Sequence, residues 1–318
     1  MLNQQMPTHV YHADWGSDPK KRWLCKAVRE GETYTAQAPT LVDDHLGLIR
    51  RIRAEIGETG SAVVGFDFPV GIPARYAALI GVEKFKPFLL QLGDGDFADF
   101  YRISEIASEI SKHRPFYPYR PGGTKQVHLW SRLGLTCMDD LRRKCELAHE
   151  GRRAAAPLFW TLGANQVGRA AIIGWRDVLV PALRSDKSVV LWPFDGSLDD
   201  LLKPGNIVIA ETYPAECYGW FFPKLLKGKG KLEVRRRVGP ALLNWARSAN
   251  VSLGPELESA IETGFPDGDD AFDAAVGLFG MLGILLNKLN GRESGEPDEV
   301  RIRKLEGWIL GQKVSPQT

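Results

Sequence analysis

The chain has 318 residues and carries 41 lysine and arginine side chains against 39 aspartate and glutamate, a formal net charge of +2. Hydrophobic residues make up 44% and charged residues 25%, an ordinary globular composition that excludes a disordered chain. The near-zero net charge excludes a protein that is basic over its whole surface, but it leaves room for a local basic surface.

The first seven residues contain no charged segment followed by an apolar run, so no signal peptide is predicted. The longest apolar stretch, residues 274–286, is too short to span a bilayer. The four cysteines are scattered without a C-x-x-C pair, which predicts reduced thiols and no zinc site. We therefore expect a cytoplasmic protein without a membrane partner.

Three strand-like runs, at residues 9–15, 22–28 and 33–38, are separated by polar turns and predict an antiparallel meander. Apolar residues at helical spacing predict a helix over residues 41–56. The nearly continuous apolar run at 61–68 is typical of a strand that is buried on both faces.

Residues 80–160 mix proline, aromatic and basic residues, which favours a helical insertion or subdomain within a single domain covering residues 1–318. Alternating strands and helices then return. Strands are predicted at 188–192 and 206–211, and helices at the following ranges: 166–183 with a bend at Pro181, 232–249, 255–262 and 270–289.

Five acidic residues stand at the ends of predicted elements: Asp14, Asp67, Glu211, Asp270 and Asp273. Asp270 and Asp273 are three residues apart and share one face of a helix. Carboxylates that converge on one point repel each other unless divalent cations bind between them, and oxygen ligands favour Mg²⁺ or Mn²⁺. Such a site, with two ions, suits the hydrolysis of phosphodiesters.

Each of these acids also has a structural interpretation. Asp14 precedes a turn and could cap it, and Asp270 could be a first-turn acid stabilised by the helix dipole. Glu211 could be a structural acid that holds the fold rather than a metal. Asp67 lies in an apolar run, where an unneutralised carboxylate is costly, and Asp273 lies deeper in its helix.

Basic and aromatic residues in two segments are candidate contacts to a nucleic acid, either DNA or RNA. In residues 113–120, arginines alternate with tyrosines, which suits base stacking or a packed, proline-stiffened loop. The run at 224–237 suits phosphate contacts or a solvated helix face. The candidates are Arg114, Tyr117, Tyr119, Arg120, Lys227, Lys229, Lys231, Arg235 and Arg236.

Several segments resemble, in their order along the chain, an uncharacterised bacterial family of predicted nucleases with a ribonuclease H-like fold. They are ADWGS at 13–17, GFDFPVGIP at 65–73, RPFYPY at 114–119, GWRDVL at 174–179, ETYPA at 211–215, DDAFDAA at 269–275 and EGWI at 306–309. The resemblance runs from about residue 10 to about residue 310.

This resemblance implies a five-stranded mixed sheet, with three antiparallel and then two parallel strands, and helices on both faces. The D-x-x-D-A pattern at 270–274 is similar to the last helix of Holliday-junction resolvases. Carried over, the acids that hold the metals in those enzymes are Asp14, Asp67, Asp270 and Asp273. The resolvases have glutamate where this chain has Asp67. Because aspartate is shorter, a metal here would be shifted by about one methylene length from its position in those enzymes.

We therefore predict a nuclease, a Mg²⁺- or Mn²⁺-dependent hydrolase of phosphodiester bonds, with the metal held by the four aspartates and Glu211. A non-catalytic ribonuclease H-like binding module is one alternative. The other is a phosphotransferase of the actin/hexokinase type, since residues 14–17 loosely resemble its first phosphate hairpin. That class needs a second duplicated domain and an adenosine loop, and the sequence shows neither.

Overall fold

The computed structural model describes residues 6–148, 153–163, 166–222, 228–287 and 299–313. Its strands form one eight-stranded mixed sheet. They are β1 (His9–Asp14), β2 (Trp23–Glu30), β3 (Thr33–Ala36), β4 (Thr40–Leu41), β5 (Ala62–Phe66), β6 (Val189–Leu191), β7 (Ile207–Glu211) and β8 (Val251–Leu253).

The strand order is β6-β7-β5-β1-β2-β3-β8, and the short β4 pairs with β2. The meander β1-β2-β3 is antiparallel, as its turn signals predict, whereas β5, β7 and β6 continue from β1 in parallel. At the other edge β8 pairs in parallel with β3. The carboxyl ends of β1, β5, β7 and β6 therefore meet at the same edge of the sheet, where open α/β sheets place their ligands.

Eleven α-helices are found in the described ranges. They are α1 (Leu48–Ile56), α2 (Ala74–Ile80), α3 (Phe85–Leu89), α4 (Gln126–Arg132), α5 (Val167–Ile173), α6 (Val180–Ser185), α7 (Leu198–Leu201), α8 (Pro214–Phe221), α9 (Leu232–Ala249), α10 (Pro255–Thr263) and α11 (Asp269–Leu285). Two π-helical segments cover Gly174–Leu179 and Ile302–Glu306. Short 3₁₀ turns cover Pro19–Lys21, Gly95–Phe97, Ala107–Glu109, Met138–Leu141 and Lys144–Glu146.

Two hydrophobic cores cover the two faces of the sheet. Alternate residues of each strand belong to different cores: in β7, Ile207 and Ile209 join the first, and Val208 and Ala210 join the second. Helices α1, α2 and α5 pack in the first core, while α8, α9 and α11 pack in the second. The prediction of a mixed sheet with helices on both faces is confirmed in this coarse form.

The predicted strand number is wrong, because the sheet has eight strands rather than five. Relative to the five strands that the resemblance implies, the additional strands are β4, β6 and β8, each only two or three residues long. The run at 188–192 predicted β6, whereas β4 and β8 carry too few alternating residues for a periodic signal. Residues 80–160 contribute no named strand in their described part, and their regular structure consists of short helices and turns.

Helix boundaries also differ from the predictions. Helix α1 begins only at Leu48, because the preceding residues form β4 and a loop. The expected bend or break at Pro181 does not interrupt the helical path, which runs from α5 through the π-helical segment Gly174–Leu179 into α6. None of the helices in the described ranges has the length and apolar character needed to cross a membrane.

Candidate active site

The close approach of α11 to β1 places the predicted acids. His12 of β1 is fully buried under α11, and its Nδ1 lies 3.1 Å from the carbonyl oxygen of Ala274. A Cβ on Gly277 would lie 2.2 Å from the His12 ring, so only glycine allows this contact. Asp14 lies two residues beyond His12 and faces the same side of the sheet.

Asp14 and Asp67 are neighbours across the parallel pair β1-β5. The ladder pairs Ala13 with Phe66, and the N–H of Asp67 donates to the carbonyl of Ala13 at 3.1 Å. Both aspartates follow that pair directly and so lie side by side at the carboxyl end of the sheet. Asp273 is one helical turn before Gly277 and thus lies above them.

The pKa values of these carboxyls are shifted because the groups are buried and close together. The pKa of Asp14 lies well above its ordinary value, first because the group is buried, and then because Asp67, Asp273 and Asp270 are near. Burial and the charge of Asp273 raise the pKa of Asp67 to about 8. Lys229 is the positive neighbour that lowers both pKa values, and its charge offsets only part of the rise.

Asp273 is 6% exposed and has two side-chain partners. It accepts hydrogen bonds from the Tyr218 hydroxyl of α8 and from the Nζ of Lys229. The Lys229 ammonium also lies 5.8 Å from the centre of the Tyr218 ring. Burial raises the pKa of Asp273 and Lys229 opposes that effect, so this lysine is the main counter-charge of the cluster.

Asp270 lies in the first turn of α11 and is partly exposed. Burial and the charge of Asp269 raise its pKa, whereas Lys21 and Lys229 lower it. Helix α11 begins after Gly268 without a side-chain cap, and Asp269 and Asp270 form its acidic first turn. The structure thus brings together Asp14, Asp67, Asp270 and Asp273, contributed by two strand ends and one helix.

Glu211, the fifth predicted ligand, lies on the opposite face of the sheet. Phe66, its cross-strand partner, and Ile209, two residues before it on the same strand, belong to the first core. Arg143 is completely buried and donates to both carboxylate oxygens of Glu211 at 2.6 Å, and the N–H of Val70 donates at 2.7 Å. Glu211 is therefore used as a structural acid, the alternative that its sequence position had left open.

The predicted nucleic-acid contacts of the segment 113–120 divide into two groups. Tyr119 is 49% exposed, and Arg120 is exposed beside Glu105 at 3.9 Å. Arg114 is partly buried and pairs with Glu109 at 3.0 Å. Tyr117 is buried, with its hydroxyl 3.0 Å from the Nδ1 of His128, so its ring is part of the packed loop.

The second basic segment, residues 224–237, also contains both exposed and inward-facing side chains. Lys231 and Arg236 are exposed, whereas Lys229 is directed at Asp273. Arg235 is buried and donates to the carbonyls of Gly264, Phe265 and Lys229, which ties α9 to the end of α10. Lys227 lies outside the described residues.

The cluster is not arranged as a preformed metal centre. In the described part of the chain, no group of three or more histidine, cysteine, aspartate or glutamate side chains has the geometry to hold a metal ion. Instead, the ammonium of Lys229 is the main positive group that faces the four carboxylates in the described part of the chain. The donor set is purely oxygen, which suits Mg²⁺ or Mn²⁺, and the raised pKa values of Asp14 and Asp67 mark an excess of negative charge.

Sequence reasoning missed Tyr218 and the role of Lys229. Tyr218 lies in an apolar helix without a recognisable motif, and the distance of 55 residues to Asp273 conceals their contact. Lys229 was one of several basic residues in a run, and nothing in that run distinguishes it as the partner of Asp273.

Thr212 follows Glu211 on the Asp67 side, and its buried hydroxyl has no hydrogen-bond partner among the described residues.

No protein-family model, curated protein or solved structure matches this chain.

Proposed function

We propose that this protein is a divalent-metal-dependent phosphodiesterase that acts on nucleic acid and has a ribonuclease H-like fold. The observation that carries the proposal is the convergence of Asp14, Asp67, Asp270 and Asp273, with Lys229 as their main counter-charge among the described residues. Four carboxylates with too little counter-charge are an unfavourable arrangement unless further cations enter. The resemblance of the chain to predicted nucleases supports the same function.

The fold supports this proposal in its central strands. The order β3-β2-β1-β5-β7, with three antiparallel strands followed by two parallel ones, is the arrangement that the resemblance implies. The acids lie at the carboxyl ends of β1 and β5 and at the start of α11. Strands β6 and β8 extend this arrangement at its two edges.

In the proposed site Asp14, Asp67, Asp270 and Asp273 hold Mg²⁺ or Mn²⁺. A divalent cation held by these residues would supply Lewis-acid stabilisation of the charge that develops on a phosphoryl oxygen. Tyr218 orients the Asp273 carboxylate through its hydrogen bond, and Lys229 supplies positive charge next to the same group. The exposed Tyr119, Arg120, Lys231 and Arg236 are available to hold the nucleic-acid chain.

The test is cleavage of labelled DNA and RNA by the wild type and by Asp67→Asn, with Mg²⁺, Mn²⁺ or EDTA. We expect metal-dependent cleavage that falls by about 100-fold or more in the variant. Asp43→Asn, at an exposed site on the loop before α1, is the matched control and keeps full activity. Metal-dependent cleavage that survives Asp67→Asn contradicts the assignment.

The ion pair between Lys229 and Asp273 favours a second candidate function, a non-catalytic ribonuclease H-like module. An ammonium in place of a metal partly neutralises the carboxylates without taking part in chemistry, as in a site that no longer cleaves. This module binds nucleic acid equally well in EDTA and in Mg²⁺, and it leaves the labelled strands intact. The cleavage assay therefore separates the two candidates.

A further inference from the structure

A cleft of about 600 Å³ lies beside the acidic cluster. It is bounded by the turn after β1, by the segment from residue 101 to residue 119, and by the helical path from α5 into the following π-helix. Four arginines line it, Arg102, Arg114, Arg169 and Arg176, against two acids, Asp18 and Glu105. This excess of positive charge selects for an anionic ligand.

Two of the four guanidinium groups have carboxylate partners. Arg114 pairs with Glu109 at 3.0 Å, and Arg176 pairs with Asp177 at 2.7 Å. Among the described residues, neither Arg102 nor Arg169 has a carboxylate within ion-pair distance. These two side chains therefore bring uncompensated charge to the cleft, and Arg102 is exposed.

Tyr119 adds an aromatic surface to the wall of the cleft. Tyr119 as a residue is 49% exposed, and the Arg169 guanidinium carbon lies 5.4 Å from the centre of its ring. Arg169 also donates to the backbone carbonyl of Tyr119, so ring and guanidinium are held as one unit. A tyrosine ring next to arginine is a surface on which an unpaired base stacks while its phosphate meets the cation.

The turn after β1 connects the acidic cluster to the wall of the cleft. Asp14 ends that strand, and Ser17 and Asp18, a few residues later, line the cleft. Asp18 is also close enough to Asp270 for its charge to affect that carboxyl. A chain bound along the arginines would therefore approach the acidic cluster at the Asp18 end of the cleft.

We propose that this cleft binds single-stranded nucleic acid, with one base on Tyr119 and its phosphates on Arg102 and Arg169. Stacking on Tyr119 requires an unpaired base, which a duplex does not offer. The inference rests on the proposed function for its choice of ligand, and it identifies the substrate as single-stranded. Its binding step needs no metal and can be measured separately from cleavage.

The experiment measures fluorescence anisotropy of labelled single strands and of the matching duplex, all in EDTA and over a range of salt concentrations. We expect the single strand to bind at least about tenfold more tightly than the duplex. Arg102→Ala weakens single-strand binding by about fivefold or more and lowers the salt slope by about one. Tyr119→Leu weakens it by about tenfold, whereas Tyr119→Phe, which keeps the ring, binds like the wild type.

The matched control is Arg247→Ala on α9, which packs in the second core on the other face of the sheet. It removes the same charge from an exposed site and leaves affinity unchanged. Equal binding of single strand and duplex overturns the inference, and so does an affinity that Arg102→Ala and Tyr119→Leu leave intact. Unchanged melting temperatures confirm that these surface variants are folded.

The two proposals can fail separately. Binding with the expected pattern but no cleavage in Mg²⁺ or Mn²⁺ upholds the cleft and rejects the phosphodiesterase. Metal-dependent cleavage that depends on Asp67, combined with cleft variants that bind and cleave like the wild type, rejects the cleft and upholds the phosphodiesterase.

Discussion

At the residue scale, the cluster combines four carboxylates whose charges oppose folding. Asp14 and Asp67 are pushed toward the protonated form by burial and by each other, and Lys229 offsets only part of this. Residues that lower stability in order to bind a ligand are common at functional sites. Their removal should therefore stabilise the protein in the absence of cations.

Asp67→Asn should stabilise the metal-free protein above neutral pH. The folded protein holds the proton of Asp67 more tightly than the unfolded chain, because its pKa is raised from 3.8 to about 8. The stability that Asp67 contributes below its unfolded pKa is therefore lost as the pH rises through the folded value. Replacement by asparagine removes this loss, which at about 1.4 kcal/mol per pKa unit amounts to several kcal/mol.

Urea unfolding in EDTA, at pH values between about 4 and about 9, measures this effect. The advantage of Asp67→Asn over the wild type should grow with pH up to about 8 and then level off, and Asp43→Asn should follow the wild type. Added Mg²⁺ or Mn²⁺ should reverse the order by stabilising only proteins that retain Asp67. A variant that is less stable than the wild type at every pH contradicts the charge argument.

Lys229→Met should increase the affinity for divalent cations. The lysine ammonium is directed at Asp273, in the part of the cluster that a cation would share. Methionine keeps much of the apolar stem but removes the competing charge, so Mn²⁺ should bind about tenfold more tightly by calorimetry. Lys231→Met, two residues away and exposed, is the control. Weaker Mn²⁺ binding by Lys229→Met would show that the ammonium supports the cation instead of competing with it.

Residue types and positions predicted the four aspartates as site residues. They could not predict which face of the sheet or helix each side chain occupies. Glu211 ends a strand, as Asp14 does, yet its alternation along β7 directs it into the first core and toward Arg143. Arg235 looked like part of a basic run and is instead buried against three carbonyls. Such assignments depend on strand register and helix packing, which one sequence does not display.

At the element scale, the position of α11 over β1 decides whether the acids meet. Gly277 is the point of closest approach, since any Cβ there overlaps the His12 ring. The strong apolar pattern predicted this helix within a few residues of its ends. Its glycine contact could not be predicted, because it depends on a histidine more than 200 residues away.

Gly277→Ala should therefore lower both stability and cation affinity. The added methyl group forces α11 away from β1, at a cost of about 1–3 kcal/mol, and moves Asp270 and Asp273 away from Asp14. Gly219→Ala on α8 is the matched control, because nothing lies within 4 Å of its Cβ position. It should stabilise the protein by about 0.5–1 kcal/mol through helix propensity. Thermal unfolding and Mn²⁺ titration of both variants measure the effects, and equal behaviour of the two would contradict this role of the contact.

At the scale of the whole molecule, the near-zero net charge conceals an ordered separation of charges. Acids without enough counter-charge gather at the carboxyl ends of β1 and β5, while arginines line the neighbouring cleft. A third group of charges is buried: Arg143 and Arg235 look in the sequence like surface bases and lie in the interior. Composition predicts only the sum of these groups, and the fold separates them.

Arg143 joins distant parts of the chain in this interior. Its guanidinium group donates to Glu211 at the end of β7, to Glu146 in its own segment, and to the carbonyls of Val70 and Glu306. The loop after β5, the segment of residues 80–160 and the C-terminal π-helix thus share one cation. Its loss should loosen the edge of the sheet that carries the acidic cluster.

Arg143→Met should lower the free energy of unfolding by about 3–5 kcal/mol, because it leaves Glu211 and Glu146 buried without their counter-charge. Arg143→Lys keeps the charge but not the two parallel hydrogen bonds to Glu211, and it should fall between methionine and the wild type. Arg75→Met, whose side chain is 77% exposed and 3.8 Å from Asp140, is the control and should cost less than about 1 kcal/mol. Urea unfolding measures all three variants. If Arg143→Met is no less stable than Arg75→Met, the buried network does not hold these segments together.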